Sequence, residues 1–96
     1  MNMAKYIIET DERIIDFANR YRFPGWYIDS NGMYVCIVGK YLISIFINSC
    51  DDCMDITVDT IGESGFFDNN VEWESNNDFE EIAEAAKRFM CTYVRK

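Results

Sequence analysis

The spacing of hydrophobic and polar residues changes twice along the chain and divides it into a helix, a run of strands and a second helix. Thr10 precedes two acidic residues, a combination typical of a helix N-terminus, and apolar residues then recur at helical spacing as far as Tyr21. This pattern predicts a first helix over residues 10–22. Phe23-Pro24-Gly25 ends it, because proline disfavours helical backbone in the residue before it. For residues 3–8, a short strand and a helical lead-in both stay open.

From Trp26 onwards the pattern is that of β-strands. The predicted strands are Trp26 to Asp29, Met33 to Val38 and Tyr41 to Ser49, joined by a Ser30-Asn31-Gly32 turn and a Gly39-Lys40 connection. The strand over 33–38 and much of the next one are apolar at both parities. Such strands need cover on both faces, from the two helices, from a second copy of the chain or from a partner.

The second half of the chain predicts alternating strands and then a helix. Over residues 54–61, Met54, Ile56 and Val58 share one predicted face, and Asp55, Thr57 and Asp59 share the opposite, exposed one. Residues 66–73 favour a small hairpin around Asn69-Asn70, with Val71 and Trp73 pointing in and Glu72 and Glu74 pointing out. An apolar stripe after Asp78 predicts a second helix over 78–94. The predicted fold is α+β, a single domain over 1–96 with an antiparallel sheet of about four to six strands flanked by the two helices.

Composition narrows the function classes. The chain has 96 residues, of which 49% are hydrophobic, and it carries a net charge of −8. Coulomb repulsion therefore disfavours direct binding to nucleic acid or to an anionic membrane, and the absence of a long apolar stretch predicts a cytoplasmic protein. There is no histidine, so Ser/His and Cys/His nucleophilic systems and His-ligated metal sites are excluded. We expect a protein that is not an enzyme and has no cofactor.

The charge is concentrated in one part of the sequence. Residues 1–50 balance five acids against five bases, whereas residues 51–86, the acidic block, hold twelve acids and no Lys or Arg. Same-face strand residues are spaced ~6.8 Å apart, about two base-pair rises of ~3.4 Å. Rows of carboxylates could therefore match the spacing of backbone phosphates. The candidate partner-binding residues are Asp55, Asp59, Asp68, Glu72 and Glu74 in the strand region and Glu80, Glu81 and Glu84 in the second helix.

A small folded protein with a strongly anionic face and no catalytic apparatus resembles the nucleic-acid mimics by which phages and mobile elements inhibit host defences, including anti-CRISPR and anti-restriction proteins. The resemblance is one of type, and no motif carries it. It implies an inhibitor that occupies the basic, nucleic-acid-binding surface of a partner protein in the host cytoplasm. One alternative is that the acids only keep the domain soluble. Another is an interaction or immunity-type module that uses an apolar sheet face, with a homodimer as one form. Trp26, Tyr27, Phe66, Phe67 and Trp73 are interpreted as core residues.

A third alternative is a thiol or metal protein centred on Cys50-Asp51-Asp52-Cys53. Cys50 and Cys53 are weak candidate metal ligands, because a second C-x-x-C is missing and neither Cys36 nor Cys91 is placed to complete a site. The neighbouring aspartates are expected to raise the thiol pKa values and so to disfavour redox catalysis. Two ordinary turn cysteines are the favoured interpretation.

Overall fold

A computed structural model describes residues 10–62 and 67–96, with residues 67 and 68 described by their backbone alone. Its elements are α1 (Glu12–Arg20), β1 (Tyr27–Ile28), β2 (Tyr34–Val38), β3 (Tyr41–Asn48), β4 (Cys53–Ile61), β5 (Phe67–Asn76) and α2 (Phe79–Tyr93). The five strands form one antiparallel sheet in the order β1-β2-β3-β4-β5, with each strand beside its neighbours in sequence. The predicted α+β fold is confirmed. The interpretation of residues 3–8 lies outside the described residues.

An aspartate side chain caps the N-terminus of each helix. Asp11 accepts a hydrogen bond from the backbone N–H of Arg13 at 2.8 Å, and Asp78 accepts one from Glu80 at 3.0 Å. Asp11 therefore caps α1 in place of the predicted Thr10. None of the helices among the described residues is long and apolar enough to cross a membrane.

Both helices pack on the same face of the sheet, which we call the helix face. Tyr34, Ile43, Ile45, Ile56 and Val58 point to this face and form one core with the apolar sides of α1 and α2. The helices also contact each other, because the rings of Phe17 and Phe79 lie 5.4 Å apart. We expected the central strands to need cover on both faces, and within residues 10–62 and 67–96 the helices cover only one of them.

The predicted hairpin around Asn69-Asn70 is wrong. These residues lie inside β5, which continues past them and pairs with β4 through register shifts on both sides of Asp59. Next to these register shifts, the Asn70 side-chain amide donates to the carbonyl oxygens of Val58 (3.4 Å) and Glu72 (3.2 Å). The asparagines thus accommodate a bulge, not a turn. Phe66, where the predicted hairpin began, lies outside the described residues.

Candidate functional site

The side of the sheet opposite the helices, which we call the second sheet face, is the candidate site. The strand register places Tyr27, Val35, Ser44, Thr57 and Trp73 on it in one row across all five strands. Its other members include Ile37, Leu42, Phe46, Asp55, Asp59 and Ser75. Among these positions there are two aspartates and no Lys or Arg.

Large apolar side chains at both sides of this face are exposed, and its centre is buried. Tyr27 is 51% exposed, Ile37 55% and Trp73 58%, whereas Val35, Leu42 and Ser44 between them are buried. Four strand spacings separate Tyr27 from Trp73, roughly 19 Å. A single exposed apolar side chain is ordinary on a protein surface, but three large ones on one sheet face make this face the candidate contact surface.

Asp55 is the most unusual residue of the second sheet face. It was predicted to be exposed and partner-binding, but it is 2% exposed and is held by four side chains. Ser75 Oγ donates to Oδ1 at 2.6 Å, and Trp73 Nε1 and Asn48 Nδ2 donate to Oδ2 at 2.9 and 3.2 Å. The Cys53 thiol completes the set at 3.5 Å. Asp55 is buried because these neighbours replace its water, which is the condition under which a buried carboxylate is tolerated.

The cysteines do not gather into a site. Burial, followed by the hydrogen bond to Asp55, raises the pKa of the Cys53 thiol. Cys50 is exposed in the turn before β4, Cys36 is buried in β2, Cys91 is exposed on α2, and all four thiols are free. Within residues 10–62 and 67–96 no three Cys, Asp or Glu side chains are placed to hold a metal ion.

Glu72 and Glu74 point to the other side of the sheet from the one predicted. Glu72 lies opposite Val58 on the helix face and accepts a hydrogen bond from the Tyr93 hydroxyl of α2. Glu74 forms an ion pair with Arg88, also on α2. The predicted alternation is reversed, because the strand continues through the bulge instead of turning at Asn69-Asn70. The same reversal moves Trp73 from its predicted core position to the exposed second sheet face.

The remaining candidate acids occupy separate parts of the surface. Asp59 is half-buried on the second sheet face, where it accepts hydrogen bonds from Thr57 (3.3 Å) and Asn70 (3.0 Å). Glu80, Glu81 and Glu84 are exposed on α2, as predicted, and Glu84 pairs with Lys87 at 3.4 Å. The side chain of Asp68 lies outside the described part of the chain. The acidic block is therefore distributed over both faces of the sheet and the outer side of α2.

The contact between Tyr93 and Glu72 predicts a loss of stability at alkaline pH. Burial, and then the Glu72 carboxylate, raises the pKa of Tyr93 to about 12, above its ordinary value of about 10. Because the pKa is raised in the folded state, the contact contributes its full stabilisation below pH ~10. This stabilisation is lost as pH rises towards ~12. We expect Tyr93→Phe to lower the free energy of unfolding by about 1–2 kcal/mol at neutral pH, and this difference to shrink between pH ~10 and ~12. Urea denaturation of both proteins across this range measures it, and a difference that does not change with pH would contradict the assignment.

Two features of the site escaped the sequence prediction. The two-sided apolar pattern of residues 33–38 predicted that both sheet faces need cover, but it did not identify Tyr27, Ile37 and Trp73 as the exposed members of the second sheet face. The burial of Asp55 had no sequence signal, since an aspartate in an alternating strand ordinarily points to water.

In comparisons with known proteins, no family model, no curated protein and no solved structure matched the chain.

Proposed function

We propose that the protein is a non-enzymatic binding module whose second sheet face docks on a basic surface of a partner protein. One observation carries the proposal: Tyr27, Ile37 and Trp73 are exposed on a sheet face that no helix among the described residues covers. Aromatic side chains that combine apolar area with a polar group are enriched at the energetic centres of protein interfaces.

The charge of this face favours a basic partner. Among the described residues, the carboxylates of this face are Asp55 and Asp59, and none of its positions is Lys or Arg. The whole chain carries a net charge of −8. A basic partner surface would be steered towards such a protein over distances comparable with the ~8 Å screening length at physiological salt. The complex is therefore expected to form more slowly as salt concentration rises.

A nucleic-acid mimic that binds through its carboxylates is the second candidate. It is favoured by the exposure of Glu80, Glu81 and Glu84 on one helix. Together with Tyr21, these three residues also line a groove. In this alternative the outer side of α2 would enter the nucleic-acid groove of an inhibited host protein. Pairing of Glu74 with Arg88 and of Glu84 with Lys87 reduces the field of this surface, so we rank it second.

Site-specific photo-crosslinking separates the two candidates. A photoreactive amino acid is placed at Ile37, on the second sheet face, or at Glu84, on α2, and both proteins are exposed to the same cell lysate. We expect a crosslinked partner from position 37 and none from position 84. Crosslinking from position 84 alone, suppressed by added DNA or RNA, would replace the proposal with the mimic. A product from position 37 with twice the mass of the chain would identify a second copy and refute a basic partner.

A further inference from the structure

The hydrogen bond between Trp73 and Asp55 fixes an exposed aromatic ring in one orientation. The indole N–H donates to Asp55 Oδ2 at 2.9 Å, while 58% of the Trp73 surface stays exposed. Asp55 cannot move freely, because Ser75 and Asn48 hold its two oxygens. An exposed tryptophan usually has several rotamers available. Here a buried carboxylate selects one of them, so the ring is pre-organised for a partner at little further cost in entropy.

The surroundings of this ring are suited to a cation. Tryptophan has the most favourable ring face for cation–π contacts, and contacts occur within about 6 Å of the ring centroid. Elsewhere the chain places its own cations over rings, as with Arg20 over Phe79 at 5.5 Å and Arg88 over Phe89 at 5.2 Å. In residues 10–62 and 69–96, no Lys or Arg lies over Trp73 in this way.

A partly exposed carboxylate lies on the same sheet face as the ring. Trp73 is paired with Thr57, and Asp59 is the next residue of β4 on the same face. The indole N–H is directed to Asp55, whose oxygens are already held by four side chains. Asp59 is the carboxylate of this face that stays partly exposed, and an arginine that stacks on the indole would extend along β4 towards it. Asp59 has acceptor capacity for this, since its described hydrogen bonds, from Thr57 and Asn70, leave further lone pairs on the two oxygens.

We propose that Trp73 and Asp59 form a receptor for an arginine side chain of the partner protein, with Asp55 as the residue that positions the indole. Arginine fits this site better than lysine, because its planar group can stack on the ring while its N–H donors face the carboxylate. The proposal rests on the second sheet face being the binding surface, and it adds the chemical group that this face recognises.

Nuclear magnetic resonance tests the receptor without the partner. The ¹⁵N-labelled full chain is titrated with the peptide acetyl-Gly-Arg-Gly-amide and, separately, with its citrulline counterpart, which has the same shape and no charge. The Trp73 indole N–H signal is assigned by its loss in Trp73→Phe. We expect the arginine peptide to shift this signal with an affinity on the order of millimolar or weaker, and the citrulline peptide to leave it unchanged. The internal reference is the buried Trp26 indole, whose N–H donates a hydrogen bond to the sulfur of Met90.

Variants then identify the roles of the two aspartates. Asp59→Asn should reduce the arginine-induced shift at least threefold, whereas Glu84→Gln, which removes the same charge on α2, should leave it unchanged. Asp55→Ala should speed exchange of the Trp73 indole proton with solvent about tenfold and abolish the shift, and Asp55→Asn, which retains an acceptor, should restore slow exchange. If Asp55→Ala does not fold, Ser75→Ala replaces it, because it frees one oxygen of Asp55 and should produce the same changes to a smaller extent.

A third titration uses acetyl-Gly-Lys-Gly-amide. Equal shifts with the arginine and citrulline peptides, no shift with either, or a larger shift with the lysine peptide would overturn the arginine receptor. Such a result, together with crosslinking from position 37, would leave the second sheet face as the binding surface. Absence of crosslinking from position 37 would remove the binding surface itself, so the two proposals fail by different observations.

Discussion

Replacing Trp73 with alanine is expected to weaken partner binding roughly 100-fold, which corresponds to ~2.7 kcal/mol. The change removes the largest exposed side chain of the second sheet face and leaves Asp55 without one of its four donors. Most of the loss should appear as faster dissociation, because truncation of a buried anchor changes the contacts of the formed complex and not the long-range charge. Surface plasmon resonance with the crosslinked partner measures both rates.

Val94→Ala is the matched control for this experiment. Val94 is also an exposed apolar residue, but it lies at the end of α2 and away from the second sheet face. It should leave affinity within about twofold, since isolated exposed apolar residues ordinarily contribute little. Both variants need to retain the wild-type circular dichroism spectrum. Equal losses for the two substitutions, or no loss for Trp73→Ala, would show that the partner binds elsewhere.

Apart from β5, the order and approximate bounds of the elements could be predicted from the sequence because their signals are local. The Phe23-Pro24-Gly25 stop, the turn before Met33 and the Gly39-Lys40 connection each act within a few residues, and the strands between them follow. Gly39 and Gly32 have φ of 60° and 75°, conformations that favour glycine, so the turn positions also have a physical basis. The apolar stripe of α2 needed no information beyond its own period.

The candidate site could not be predicted to the same extent, because it depends on contacts between residues distant in sequence. One bulge opposite Asp59 decides which side of β5 Trp73 and Glu72 occupy, and an Asn-Asn pair is compatible with a turn as well as with a bulge. Asp55 is buried by Trp73 and Ser75, which lie 18 and 20 residues further along the chain. No local pattern distinguishes such an aspartate from one that is exposed.

The largest loss of stability is expected from Phe17→Ala, which should lower the free energy of unfolding by about 3–5 kcal/mol. The nine-residue helix α1 is too short to be stable without packing, and its fully buried Phe17 ring joins it to the sheet through Tyr34 at 6.0 Å and to α2 through Phe79 at 5.4 Å. Thermal denaturation should show a midpoint lowered by roughly 15–30 °C, whereas Ile15→Ala, on the exposed side of the same helix, should lower it by only a few degrees.

The Trp73 indole signal tests whether the second sheet face depends on α1. Because α1 packs on the helix face, the folded fraction of Phe17→Ala should show the same Trp73 signal as the wild type. A changed Trp73 signal in that fraction would mean that the second sheet face depends on α1, and that the binding surface and the core are not separate parts of this fold.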